Sequence, residues 1–66
     1  MKITLNGEER DVAEGTTLAG LLEELGIDPR ALAVERNREI APRGSYATTP
    51  LAEGDRIEVV HFVGGG

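Results

Sequence analysis

Alternating polar and apolar residues at the start of the chain predict a short β-strand over Lys2–Leu5. Asn6-Gly7 follows, and this pair favours a type I′ hairpin, because both central residues of that turn need a positive φ angle. The hairpin predicts a returning strand over residues 8–12. This second strand is mostly polar, so we expect it at an edge of the sheet.

An amphipathic helix is predicted next by four leucines at the spacing i, i+3, i+4 and i+7, namely Leu18, Leu21, Leu22 and Leu25. A threonine hydroxyl, from Thr16 or Thr17, is expected to cap its first turn. Gly26 stands where a left-handed residue commonly ends a helix, and Ile27 after it can fold back onto the last turn. The leucines form one stripe, so we expect them in the core.

Three more strands are predicted over residues 31–35, 39–41 and 56–63. Asn37 is expected to turn the chain between the first two, residues 44–50 to form a loop, and Glu53-Gly54-Asp55 to turn into the last. The last strand is apolar at nearly every position, so we place it at the centre of the sheet. A right-handed crossover through the helix makes it parallel to the first strand. The predicted fold class is therefore α+β, a β-grasp with one main helix across one face of a mixed sheet.

Length and charge narrow the possible functions. The chain has 66 residues, a net charge of −5 and no cysteine. Disulfides, thiolate metal sites and cysteine nucleophiles are thus excluded. A chain this short has little room for a deep substrate cavity, so we expect no enzyme, no bound metal and no bound cofactor. The acidic balance disfavours nucleic acid, and the sequence has no membrane-length apolar run. We expect a cytoplasmic protein.

The sequence ends in three glycines, Gly64, Gly65 and Gly66. Glycine has no side chain to pack and loses the most backbone entropy on ordering, so such a tail adds nothing to a core. Extended, it spans roughly 10 Å and can present the Gly66 carboxylate inside a narrow site on another protein. We therefore divide the chain into a domain over residues 1–63 and a flexible tail over residues 64–66.

A docking surface is predicted beside the tail. If Ile57 and Val59 face the helix, strand alternation places Val60 and Phe62 on the open face of the sheet. Exposed apolar residues next to a reactive end indicate a partner site. The alternative is a bulge that turns Phe62 into the core. We interpret His61 as a structural or docking residue.

Taken together, the chain resembles the ubiquitin-like sulfur carriers, and among them the ThiS family of thiamine biosynthesis. The resemblance covers the whole length. It rests on Asn6-Gly7, Gly15-Thr16-Thr17-Leu18 with Leu21-Leu22, Val34-Glu35-Arg36-Asn37, Ile40 with Pro42-Arg43, Leu51 with Gly54-Asp55, and the segment from Ile57 to Gly66. The related molybdopterin carriers often have prolines before the last glycines, and His61-Phe62-Val63 has none. The family requires two terminal glycines, so Gly64 is an extra one.

The resemblance implies a protein cosubstrate. A ThiF-like adenylyltransferase would use ATP to activate the Gly66 carboxylate, persulfide sulfur from a donor enzyme would displace AMP, and the thiocarboxylate would deliver its sulfur to thiazole synthase. Three alternatives stay open. One is a carrier for molybdopterin or amino-acid biosynthesis, one is a ubiquitin-like modifier joined through Gly66 to lysines, and one is an interaction domain with an idle tail.

Overall fold

A computed structural model of the protein describes residues 1–61, and it describes only the backbone of Ala31 and His61. The strands are β1 (Lys2–Leu5), β2 (Glu8–Asp11), β3 (Leu32–Arg36), β4 (Glu39–Ile40) and β5 (Arg56–His61). The helix α1 (Leu18–Leu25) connects β2 to β3, and 3-10 helices occupy Pro29–Ala31 and Arg43–Thr48.

One mixed sheet contains all five strands, in the order β2-β1-β5-β3-β4. β5 is parallel to β1, with Thr4 opposite Arg56 and Leu5 opposite Ile57. It is antiparallel to β3 over five residue pairs, from Leu32 opposite His61 to Arg36 opposite Ile57. The predicted central place of the last strand and the predicted edge place of β2 are both confirmed.

The core lies between α1 and one face of the sheet. Its least exposed side chains are Ile3, Leu18, Leu21, Leu22, Leu32, Val34 and Ile57. Three of the four leucines of the predicted stripe are fully buried, and Leu25 packs on the cluster while partly exposed. Burying one such side chain contributes about 1.5–3 kcal/mol. A helix of eight residues, too short to be stable alone, is therefore held by its leucines.

Both ends of α1 are capped as predicted. The Thr17 hydroxyl accepts a 3.1 Å hydrogen bond from the Gly20 N–H. At the other end Gly26 is left-handed, with φ at 70°, and its N–H donates to the Glu23 carbonyl at 3.0 Å. The Ile27 N–H then donates to the Leu22 carbonyl at 3.1 Å. This pair of bonds satisfies carbonyls that would otherwise have no partner at the end of the helix.

The sequence-based loop over residues 44–50 is wrong in part. The 3-10 helix Arg43–Thr48 occupies most of it and places the Tyr46 side chain, 5% exposed, in the core. The bounds of three strands differ from the prediction by one residue: β2 ends at Asp11, β3 runs over Leu32–Arg36 and β4 ends at Ile40. The predicted domain boundary at residue 63, and the tail after it, lie outside the described residues.

No helix in the described part of the chain is long and apolar enough to cross a membrane.

Candidate functional site

The carboxyl end of β5 is the part of the described structure nearest in sequence to the glycines. Side chains along it alternate as predicted: Ile57 is fully buried, Val59 is partly buried, and Val60 is 53% exposed. Val60 therefore lies on the face of the sheet that α1 does not cover. Phe62, Gly64, Gly65 and Gly66 lie outside the described residues, so their predicted roles remain predictions.

Asn6 extends the pairing between β1 and β5. It is left-handed, with φ at 49°, as is Gly7 at 85°, which confirms the predicted hairpin turn. The Asn6 N–H donates to the Ile57 carbonyl at 2.9 Å, and its side-chain Oδ1 accepts from the Val59 N–H at 2.8 Å. The left-handed backbone of Asn6 thus forms the turn, while its side-chain amide holds β5.

The other hairpin fixes the beginning of β5 in the same manner. Asn37 is left-handed, with φ at 52°. Its Oδ1 accepts from the Arg56 N–H at 2.9 Å, and its own N–H donates to the Arg56 carbonyl at 2.8 Å. β5 is therefore held by an asparagine on each side.

Asp55, immediately before β5, is the one buried charged residue in the described part of the chain, at 6% exposure. Its carboxylate accepts from Arg36 Nε at 2.8 Å, from Asn37 Nδ2 at 3.1 Å and from the Ala52 N–H at 2.9 Å. These bonds join the turn before β5 to the β3–β4 hairpin. From the sequence, Asp55 is predicted only as a turn residue, and this network is not predicted.

The protonation of Asp55 follows from these contacts. Burial alone would raise the pKa of its carboxyl, but the hydrogen bonds from Ala52, Asn37 and Arg36, with the charge of Arg36, outweigh it and hold the pKa below its usual value. Asp55 is thus a charged structural link at neutral pH. The described residues bring together no group of three or more potential metal ligands.

The open face of the sheet also carries Glu35 and Ile40, which the sequence pattern did not place there. Glu35 on β3 lies directly opposite Glu58 on β5 and directly opposite Ile40 on β4. Ile40 is 67% exposed. A strand register is needed to place these three side chains in one row, and a single sequence does not give that register.

The sequence pattern of the ThiS family matches residues 3–66, which include all three glycines. The chain belongs to the ThiS family. The sulfur carrier protein ThiS of Bacillus subtilis is 38% identical over 65 residues, which make up 97% of this chain and 98% of that protein.

A solved ThiS structure shows the same fold. The crystal structure of the thiamine biosynthesis protein ThiS from Geobacter metallireducens is 33% identical in sequence, covers 100% of both chains and superposes with a TM-score of 0.85. The β-grasp prediction and the resemblance to the ThiS family are confirmed.

A longer relative contains a ThiS-like segment. The thiazole synthase of Paramagnetospirillum magneticum is 52% identical over 66 residues, which are 100% of this chain but 20% of that protein. The chain therefore spans about a fifth of this relative, whose name describes the longer protein.

Proposed function

We propose that the protein is a sulfur carrier of thiamine biosynthesis, which presents sulfur on the carboxyl group of Gly66 to a thiazole synthase. The observation that carries the proposal is the match to the ThiS family over residues 3–66, since it covers the fold and the glycines together. The proposal concerns the form in which Gly66 bears a free α-carboxylate.

The chemistry follows from the properties of a carboxylate. Its negative charge repels nucleophiles, so it must first be activated. In the proposed first step a Gly66 carboxylate oxygen attacks the α-phosphorus of ATP, pyrophosphate leaves, and an acyl-adenylate results. A ThiF-like adenylyltransferase would catalyse this step, and ATP is its substrate rather than a cofactor of this protein.

Sulfur then replaces oxygen at the same carbon. The terminal sulfur of a donor persulfide attacks the acyl carbon and expels AMP, which leaves an acyl disulfide. A second thiol attacks the sulfur of that acyl disulfide that is bonded to the donor enzyme. A new disulfide forms there, and the other sulfur leaves as the thiocarboxylate on Gly66. Because the chain has no cysteine, every thiol that takes part in these steps belongs to another protein.

The protein contributes binding and access to these steps, and its partners contribute the catalysis. β5, held on both sides by Asn6 and Asn37, gives the tail a fixed point of departure. Val60, exposed near the end of that strand, and Phe62 are proposed to dock on the partner. Glycines at the end of the chain then fit a narrow slot, because they lack Cβ atoms.

The thiazole synthase of P. magneticum supports the choice of pathway, because it contains a segment like this whole chain. A protein of that name joined to a ThiS-like segment indicates that the two act together. We therefore propose thiazole synthase as the acceptor of the sulfur, ahead of molybdopterin or amino-acid pathways.

Intact-mass spectrometry tests the proposal. The mass of the protein from its own organism first establishes whether the chain ends at Gly66. Incubation with ATP, the adenylyltransferase and a persulfide donor should then give the mass gain of one sulfur in place of one oxygen. The sulfurated protein should support thiazole formation by the thiazole synthase. An isopeptide-linked product would instead favour a protein modifier, and an unchanged mass would favour an idle tail.

A pair of glycine variants makes the test specific. Gly66→Val places a branched side chain beside the reacting carbon, and a misplacement of 1 Å can cost about 10²-fold in rate. Gly44→Val is the matched control, because a Cβ at Gly44 would meet nothing within 4 Å. We expect ATP–pyrophosphate exchange to fall sharply for Gly66→Val only. Equal exchange by both variants would contradict the assignment of Gly66.

A further inference from the structure

Two glutamates of like charge face each other on the open face of the sheet. Glu35 on β3 is directly opposite Glu58 on β5, and side chains at such positions have Cβ atoms about 4.5–5.5 Å apart. Like charges at opposite positions destabilise a sheet. Glu58 is balanced by Arg56, whose Nε lies 3.3 Å from its Oε1. Among the side chains that the structure describes, Glu35 has no cation within 4.0 Å.

Exposed apolar side chains flank this pair. Ile40, at 67% exposure, is directly opposite Glu35 on the edge strand β4. Val60, at 53% exposure, is two residues after Glu58 and so lies on the same face of β5. They are the two large hydrophobic residues that are exposed in the described part of the chain. Together, Ile40, Glu35, Glu58 and Val60 form what we term the open-face patch.

Lys2 and Arg56, two cations on this face, are paired with carboxylates other than Glu35. Lys2 Nζ lies 3.9 Å from Glu9 Oε1 and 4.0 Å from Asp11 Oδ1. Arg56 is paired with Glu58. Neither of these cations pairs with Glu35, and the apolar flanks of Glu35 favour a protein surface over a free ion as the source of a balancing cation.

We propose that the open-face patch receives an arginine of the thiazole synthase, whose guanidinium lies between Glu35 and Glu58 while apolar side chains around it cover Ile40 and Val60. This inference rests on the proposed function. Arginine fits better than lysine, because its planar fork of donors can bond two carboxylates and is more weakly hydrated than an ammonium group. Burial of the flanks strengthens the pairing, since water is excluded.

Position supports the same partner. Gly66 is six residues beyond Val60, a distance of at most about 20 Å when extended. An enzyme bound to the open-face patch can therefore hold the end of the tail at the same time. A thiazole synthase is the partner protein found joined to a segment like this chain.

The test compares two variants that lose the same charge. Binding of the full-length protein to the thiazole synthase of the same organism is measured by calorimetry at several salt concentrations. Glu35→Gln should raise the Kd about tenfold, as expected for the loss of one charge-assisted hydrogen bond, and should flatten the salt dependence. Glu8→Gln is the control. It removes an exposed charge on β2, at the position opposite Leu5 of β1, and should leave the Kd unchanged.

Thermal melting separates docking from folding. Because Glu35→Gln removes the repulsion from Glu58, its melting temperature should equal or exceed that of the wild type. A clear fall would overturn the proposal, as Glu35 would then support the fold. Equal Kd values for the wild type, Glu35→Gln and Glu8→Gln would overturn it as well.

Other outcomes distinguish this inference from the proposed function. Wild-type protein that does not bind the synthase at all would overturn both. In a further outcome, Glu35→Gln leaves the Kd for the synthase unchanged but raises the Kd for the adenylyltransferase. That result would overturn the assignment of the open-face patch to thiazole synthase, while the carrier role would stand.

Discussion

The side chain of Asn6 accepts a 2.8 Å hydrogen bond from the backbone N–H of Val59. The two residues are 53 positions apart in sequence, and the bond continues the β1–β5 ladder past the last backbone pair, Leu5 with Ile57. A turn residue thereby holds the strand that carries the exposed side chain of Val60. This bond gives the hairpin a role in positioning the carboxyl end of β5.

Replacement of Asn6 with glycine isolates that bond, because glycine accepts the left-handed backbone at no steric cost. We expect Asn6→Gly to lower the free energy of unfolding by about 0.5–1.5 kcal/mol, the net value of one hydrogen bond. Amide hydrogen exchange should become faster at Val59. The amide of Asn37, which donates to the Arg56 carbonyl at 2.8 Å, is the internal control. An unchanged exchange rate at Val59 would contradict this role for Asn6.

Asp55 should matter more to stability than any other carboxylate in the described structure. Asp55→Asn removes the charge that pairs with Arg36 at 2.8 Å. We expect a loss of about 1.5–3 kcal/mol, the range for hydrogen bonds to charged groups, in urea unfolding. Asp28→Asn is the control, because Asp28 pairs with Arg30 at an exposed site and should change stability little. Equal losses in the two variants would show that burial of Asp55 has no added effect.

Acid should abolish the difference between wild type and Asp55→Asn. The pKa of Asp55 in the folded protein lies below its ordinary value, so its ionised form is favoured by folding. The stabilisation is complete above the unfolded pKa of about 3.9 and is lost as pH falls through the lower folded pKa. Urea unfolding of both proteins, followed from neutral pH downward, should therefore show converging stabilities. A gap that stays constant into strong acid would contradict the assigned charge.

The leucine stripe provides a graded test of the core. Leu22 is 1% exposed, whereas Leu25 is partly exposed. Leu22→Ala should cost about 2–5 kcal/mol, and Leu25→Ala should cost clearly less because less of its surface leaves water on folding. Melting temperatures of the two variants decide this. If Leu25→Ala is the more destabilised, the packing of α1 described above is wrong.

Removal of Gly65 and Gly66 should leave the melting temperature nearly unchanged. These residues have no side chains, and the core residues in the described part of the chain all precede them. Thermal melting of the shortened and full-length proteins, measured in one buffer, makes the comparison. A large fall in the melting temperature would mean that the glycines support the fold. The predicted boundary between domain and tail at residue 63 would then be wrong.

Local signals explain what the sequence could predict. Asn6-Gly7 specifies its turn through the positive φ angles it tolerates, and Leu18 to Leu25 specify a helix through their spacing. Each signal acts within a few residues, so one sequence is enough to find it. The same holds for the apolar run that places β5 at the centre of the sheet.

Long-range contacts explain what was missed. Asp55 reads as part of a Gly-Asp turn, and nothing near it in sequence indicates that Arg36 and Asn37 will donate to its carboxylate. The burial of Tyr46 likewise depends on how the 3-10 helix after β4 packs against α1. The row formed by Ile40, Glu35 and Glu58 requires the register of three strands, which only the folded sheet supplies.

The central place of β5 has a consequence for synthesis of the protein. The ribosome makes β5 after the four other described strands, yet β5 is the strand that joins the β1 hairpin to the β3 hairpin. A nascent chain that stops before Arg56 has two separate hairpins and no continuous sheet. The described five-stranded sheet can therefore be completed only after translation has passed residue 61.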